Sequence, residues 1–223
     1  MLKHQTKSEA AYAFLREQIL SGALQPGERL TLVRLSEELG VSLMPVREAL
    51  GRLARDGLVD VTPYKDARVA PMSRRDVEDI FSVRAALEAH AMELAVRRAG
   101  ADLAEPLETI NARFAQAVER RDFTEINEAN RAFHAVVLKA ADNDHLARFL
   151  EDIWMKCARY RAGFRLIPGR STSAVAEHAA IIVAVARSDA NAAAAAARAH
   201  IDEAAAGMAD YVDRVTEPAE ATS

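Results

Sequence analysis

Aromatic residues make up only 5% of this 223-residue chain, and it holds a single cysteine, Cys157. Few aromatics beside abundant alanine, in a chain that is 50% apolar, argue against a β-rich fold and for closely packed helices. One cysteine excludes an internal disulfide framework. Cys157 falls among Ile153, Tyr160 and Phe164 on an apolar helix face, where an inert buried thiol is expected rather than a reactive one. No apolar run approaches the roughly eighteen residues of a membrane span, and the opening MLKHQTKSEA lacks a signal-peptide core. A soluble, cytoplasmic protein with no membrane partner is therefore expected.

The net charge of −4 looks wrong for a nucleic-acid binder until it is divided. Residues 1–75 hold twelve Lys/Arg against nine Asp/Glu, a net +3, and the remainder carries −7. That asymmetry suits a DNA-binding head on an acidic body.

The most informative stretch is Gly40–Leu58, GVSLMPVREALGRLARDGL. Ser42 is placed to cap a helix, and Pro45 falls in its first turn, where a missing N–H costs little. Val46, Ala49, Leu50 and Leu53 recur at helical spacing, opposite Arg47, Glu48, Arg52 and Arg55. Upstream, Thr31–Leu39 predicts a short helix with Leu32, Leu35 and Leu39 inward and Gly40 as its stop. Two short helices around a tight turn describe a helix-turn-helix, whose second helix reads a DNA major groove. A plain helical hairpin with solvated charges is the alternative on this stretch alone. Val59-Asp60-Val61 and Ala67-Arg68-Val69 then read as paired strands around a turn at Pro63-Tyr64-Lys65-Asp66.

Helices followed by a hairpin, with the run Gly40-Val41-Ser42-Leu43-Met44-Pro45-Val46-Arg47-Glu48-Ala49-Leu50, resemble the GntR superfamily of bacterial transcription regulators. Ala23–Leu30, Asp56-Gly57-Leu58-Val59 and the wing add to the likeness, which covers about the first seventy residues. The resemblance implies a winged helix-turn-helix over 8–70. Its implied DNA contacts are Ser42, Met44, Arg47 and Arg52 on the reading helix with Lys65 and Arg68 on the wing, and its target is a short inverted repeat of double-stranded DNA. Two departures stand out. The family usually places Arg then Thr or Ser where this chain has Leu43 and Met44, and the wing-tip glycine is Asp66.

Before the reading helices, Ser8 is expected to cap a helix through about Leu20, with Ala11, Leu15 and Ile19 inward. After the wing, Ala70-Pro71-Met72 reads as a linker and Ser73–Asp76 as a capping box opening a long helix. Its stripe is Val77, Ile80, Arg84, Leu87, Ala91 and Leu94. Further helices are predicted over Leu103–Glu119, from a second capping box at Asp122–Glu125 to Ala141, and over His145–Phe164 with Leu146, Phe149, Ile153, Cys157 and Tyr160 inward. Two more cover Thr172–Arg187 and Ala190–Val215. Short loops between amphipathic helices make an all-α antiparallel bundle over 73–215, followed by a disordered polar tail over 216–223. The fold class is mainly α.

Polar residues on core stripes carry the remaining information. Asn130 and His134 lie one turn apart on one face of the helix ending at Ala141, with Ile126, Val137 and Ala141. His178 shares its stripe with Val175, Ile182 and Val185, and His200 shares its own with Ala197, Ala204, Met208 and Tyr211. Any one of these is most simply a hydrogen-bonded core histidine. Three together suggest a site for zinc, nickel or a similar divalent ion, with open positions for water or another ligand.

The same region resembles the FadR C-terminal domain, the ligand-sensing bundle of the FadR-type branch of that superfamily. Its marks are Arg84-Ala85-Ala86-Leu87-Glu88, Asn130-Arg131-Ala132-Phe133-His134, Glu177-His178 and His200 after Ser188-Asp189. The resemblance implies Asn130, His134, His178 and His200 as metal ligands, Asn130 standing where an anionic Asp is also found. Arg84, on a stripe with Ile80 and Leu87, needs an anionic partner. Two readings are open: an internal ion pair, with Glu88 or another acidic residue, or a clamp for a small carboxylate effector. The expectation is a homodimeric, metabolite-responsive transcription regulator acting as a repressor, with a metal-dependent hydrolase and a metal-free interaction bundle as alternatives.

Overall fold

The computed structural model describes residues 6–61, 67–160 and 164–216. These fall into two compact units, one of residues 6–72 with 155–160 and the other of 73–154 with 164–216.

In the first unit, helix α1 (Lys7–Leu20) starts two residues earlier than Ser8 would set it. Thr6 is the cap: its hydroxyl accepts from the Glu9 N–H at 3.2 Å, and the Glu9 carboxylate accepts from the Thr6 N–H at 2.8 Å. The box needs an acidic residue three positions on, which Thr6 has and Ser8, followed by Ala11, does not. Helix α2 (Leu32–Leu39) ends at Gly40 in the left-handed region (φ 62°), a conformation glycine adopts without penalty. Helix α3 (Leu43–Arg55) follows, with Ser42 extended at the capping position but making no side-chain cap; instead the Ser36 hydroxyl closes the turn on the Val41 carbonyl at 2.7 Å.

Strands β1 (Arg29–Leu30), β2 (Val59–Val61) and β3 (Ala67–Val69) form an antiparallel sheet in the order β1-β3-β2. The register pairs Leu30 with Ala67 and Val61 with Ala67. Strand β1 is not foreseen by the sequence, because two residues are too few for an alternating pattern. Leu15, Leu30, Leu35, Val46, Leu53 and Leu58 form the core of this unit. The expected turn at 62–66 lies outside the described residues.

The second unit is a helical bundle: α4 (Arg74–Ala99), a short 3-10 turn at Gly100–Leu103, α5 (Ala104–Arg120), α6 (Phe123–Ala141), α7 (Asp144–Cys157), α8 (Arg170–Ala186) and α9 (Ala190–Thr216). Both expected capping residues act as such, Ser73 accepting from Asp76 N–H and Asp122 from Glu125 N–H, each at 3.1 Å. At its start α4 is tied to the end of α9, where Arg74 meets Asp210 and Asp213, both at 2.7 Å.

Four expectations need correction. The buried positions of α4 include Phe81, Ala85, Glu88, Met92 and Ala95, while Ile80, Leu87 and Leu94 are only partly buried. Helix α4 packs against both α6 and α9, so it buries more than one stripe. On α7, Leu150 is buried and Phe149 is 63% exposed, since i+3 and i+4 spacings from Leu146 are both helical. The α7 helix ends at Cys157, short of the expected Phe164, and passes into a 3-10 turn at Ala158–Tyr160; the Cys157 thiol is buried. Of the tail, Thr216 belongs to α9 and residues 217–223 lie outside the described set.

Candidate metal centre

His134 on α6, His178 on α8 and His200 on α9 are all buried, and they meet inside the bundle. One potential ligand atom from each lies within 4.8 Å of the others. Each ring is fixed through its Nδ1. His134 Nδ1 contacts Glu88 Oε2 at 2.5 Å, His178 Nδ1 donates to Asn111 Oδ1 at 3.3 Å, and His200 Nδ1 meets Glu177 Oε2 at 2.6 Å. Phe133 stacks flat on His178, with ring centres 3.9 Å apart. The Nε2 atoms of His134 and His178 are buried without a hydrogen-bond partner. Buried polar atoms are rarely left orphaned, whereas metal-ligating histidines use one nitrogen for the ion and the other for an orienting acceptor.

Those acceptors are themselves held. Glu88 Oε1 accepts from Arg84 Nε and from Trp154 Nε1, both at 2.8 Å. Burial would raise the Glu88 carboxyl, but His134 and Arg84 outweigh it and hold the group below the ordinary carboxylate range. Glu177 receives both terminal nitrogens of Arg170 at 2.8 Å. Asn111 donates to the Val175 carbonyl at 3.2 Å, which turns its oxygen toward His178.

Burial, and then electrostatic interaction with His200, His134 and Arg170 nearby, pushes His178 down. Burial also takes His200 down to about 4, against the pull of Glu177. Both imidazoles are thus neutral near pH 7, the form that binds metal. Unfolded histidine titrates near 6.5, so as pH falls below that the unfolded chain takes up protons that the folded one refuses. Metal-free protein should therefore lose about 2 kcal/mol per imidazole between pH 7 and pH 5. Urea unfolding at the two pH values measures this, and an unchanged midpoint would contradict it.

Arg84 forms the internal ion pair with Glu88 that the sequence allowed for. It also lines a cavity of about 80 Å³ with Asn130, Phe164, Arg170, His200 and Ile201. Asn130 is half-buried in that wall. Sequence reasoning missed Asn111, Arg170 and the anchoring role of Glu177. Arg170 precedes Glu177 by seven residues, two helical turns, and that spacing was the available signal. Asn111 sits beside the apolar stripe of Leu107, Ile110 and Phe114 and offered only its polarity.

In the other unit, Met44 and Arg47 are exposed on α3 and Ser42 just before it. Arg52 is exposed, with its guanidinium 4.0 Å above the Tyr12 ring. Arg68 donates to the Gly27 carbonyl at 3.1 Å from β3. Lys65 lies outside the described residues.

Comparison with known proteins follows this division. The profile "Bacterial regulatory proteins, gntR family" matches residues 7–69, and "FCD domain" matches residues 79–203. The HTH-type transcriptional regulator McbR of Escherichia coli is 33% identical over 156 residues, 70% of each chain. The HTH-type transcriptional repressor GlaR of Escherichia coli is 31% identical over 154 residues, covering 67% of this chain and 70% of its own. The solved structure of E. coli McbR/YncC superposes with a TM-score of 0.72 at 24% identity, over 92% of this chain and 98% of that one.

Proposed function

Because the chain belongs to the gntR family of bacterial transcription regulators and carries an FCD domain, we propose that it is a metal-containing repressor released or engaged by a small carboxylate. Its relatives are regulators, which leaves the hydrolase alternative without support. The observation behind the metal is the pair of orphaned, buried Nε2 atoms at a cluster of three oriented imidazoles. His134, His178 and His200 would hold a divalent ion such as zinc or nickel, with Asn130 as a further ligand. When bound, the ion supplies a Lewis-acidic position for one oxygen of an acid. The chain's own part is to keep three imidazoles aimed, through Glu88, Asn111 and Glu177.

The cavity walled by Arg84, Arg170, Asn130 and His200 would take the effector. Two guanidinium groups, Arg84 paired with Glu88 and Arg170 with Glu177, stand in its wall, and Arg matches carboxylate geometry in a way that a point charge does not. Effector binding would change operator affinity by favouring one arrangement of a two-fold homodimer on a short inverted repeat. A thermal-shift screen of small carboxylates, with and without metal, identifies the effector, since a ligand of the native state raises the melting temperature. Arg84→Ala should then abolish the effector's influence on operator affinity and leave binding by the free protein largely intact. Arg84→Lys should rescue in part. An Arg84→Ala protein that responds fully would reduce Arg84 to its ion pair with Glu88.

On the DNA side, Arg47 stands exposed early on α3, where an arginine favours guanine O6 and N7. Arg47→Ala should weaken operator binding by about 1–3 kcal/mol and relax specificity at one position per half-site. Loss of Arg52 or Lys65 should instead weaken all duplexes alike. Unchanged affinities of Arg47→Ala for specific and random duplexes would overturn the assignment.

A further inference from the structure

The first turn of α3 exposes two large apolar side chains, Leu43 at 45% and Met44 at 60%. Neither serves the core, which takes Val46, Ala49, Leu50 and Leu53 from the opposite side of the helix. Met44 heads a line that continues, at spacings of four, three and four, through Glu48, Gly51 and Arg55, and Leu43 lies one turn before Arg47. Glu48 is exposed on that line, and an acid does not face phosphates. A Cβ added at Gly51 would meet nothing within 4 Å, so the unit's own packing does not demand glycine inside this helix, where it is unfavourable. A bare position in that line leaves the face low enough for another surface to approach.

From these features we infer that Leu43 and Met44 read the C5 methyl groups of thymines in the major groove of the operator. The inference rests on the reading of α3 as the DNA-contacting helix. The phosphate backbone offers nothing for an apolar side chain to pack on. Among base edges in the major groove, the thymine methyl is the apolar feature. Positions that would carry a charged or hydroxyl contact are thereby converted into positions that select A·T pairs by shape and burial. Thymines should lie beside the guanine assigned to Arg47, since Leu43 and Arg47 share a face.

The test uses the full chain and a randomised duplex pool, from which bound sequences are selected and their common site is made as a defined duplex. Each thymine of the site is then replaced by deoxyuridine, which removes only the methyl. At the thymines beside the Arg47-dependent guanine, affinity should fall about fourfold per methyl, the worth of one buried carbon group. Met44→Ala, on a side chain too exposed to matter to folding, should bind the thymine duplex correspondingly less well. It should also lose the distinction between thymine and deoxyuridine at its own position, and Leu43→Ala should do the same at the neighbouring one. If a specific duplex is selected but no replacement changes wild-type affinity beyond twofold, this inference fails while the DNA-binding reading stands. If no duplex is preferred over random sequence, both fail together.

Discussion

Replacing Glu88 with alanine should destabilise the helical unit by about 3–5 kcal/mol, the cost of leaving a buried charge without its partner. Glu88 is buried in the middle of α4 and serves three groups at once: the Arg84 guanidinium, the Trp154 indole N–H and the His134 ring. Truncation would strand two buried donors and one buried cation, and the cavity adds to the loss. Measured on chelator-treated protein, so that metal loss plays no part, the melting temperature should drop by about 10 °C. Glu88→Gln should lose less, because an amide oxygen can still accept from Trp154, though it cannot balance Arg84. A Glu88→Ala protein within about 1 kcal/mol of wild type would show that the network does not hold this core together.

Adding zinc or nickel to stripped protein should raise its melting temperature by about 10 °C, the effect of roughly 4 kcal/mol when metal stands a thousandfold above its dissociation constant. His134→Ala, His178→Ala and His200→Ala should each lose most of that rise. Comparing each variant with itself, with and without metal, separates coordination from the packing lost with a buried ring. Asn130→Asp brings an anionic oxygen to the cavity wall and should enlarge the rise. Elemental analysis of purified protein gives the companion measure, up to one ion per chain. Equal rises in wild type and all three alanine variants would return the histidines to an ordinary core role.

Much of this arrangement is legible in the sequence, for reasons that differ by residue. His134, His178 and His200 stand out because each interrupts an apolar helical stripe, and the three stripes converge when helices pack around one axis. The reading helix is legible from a local pattern that ends at a glycine stop. Glu88 is less so, since α4 is packed on two sides and its buried positions overlap in the sequence. Asn111 is 67 residues from the histidine it orients, and no local period reports such a pairing. Strand β1 exists only because β3 passes beside it, so two residues adopt an extended form that their own sequence does not dictate. Phe149 shows the limit of spacing arguments, because a helix allows both it and Leu150 to follow Leu146.

The ion pairs at the start of α4 tie the centre to the edge of its unit. Helix α9 carries His200 near its middle and Asp210 and Asp213 ten and thirteen residues further on, about 15 and 20 Å along a rigid rod. Those two carboxylates grip Arg74, and residue 73 is the first of its unit. Any sliding or tilting of α9 at its histidine is therefore delivered, undiminished by loops, to the point where the chain leaves the bundle for the residues before it. A single helix joins the two points, its far end held both by these ion pairs and by the buried Met208, Ala209 and Val212. Ion pairs this exposed contribute little to stability, so it is the buried face of α9 that keeps its histidine and the start of α4 at a fixed separation.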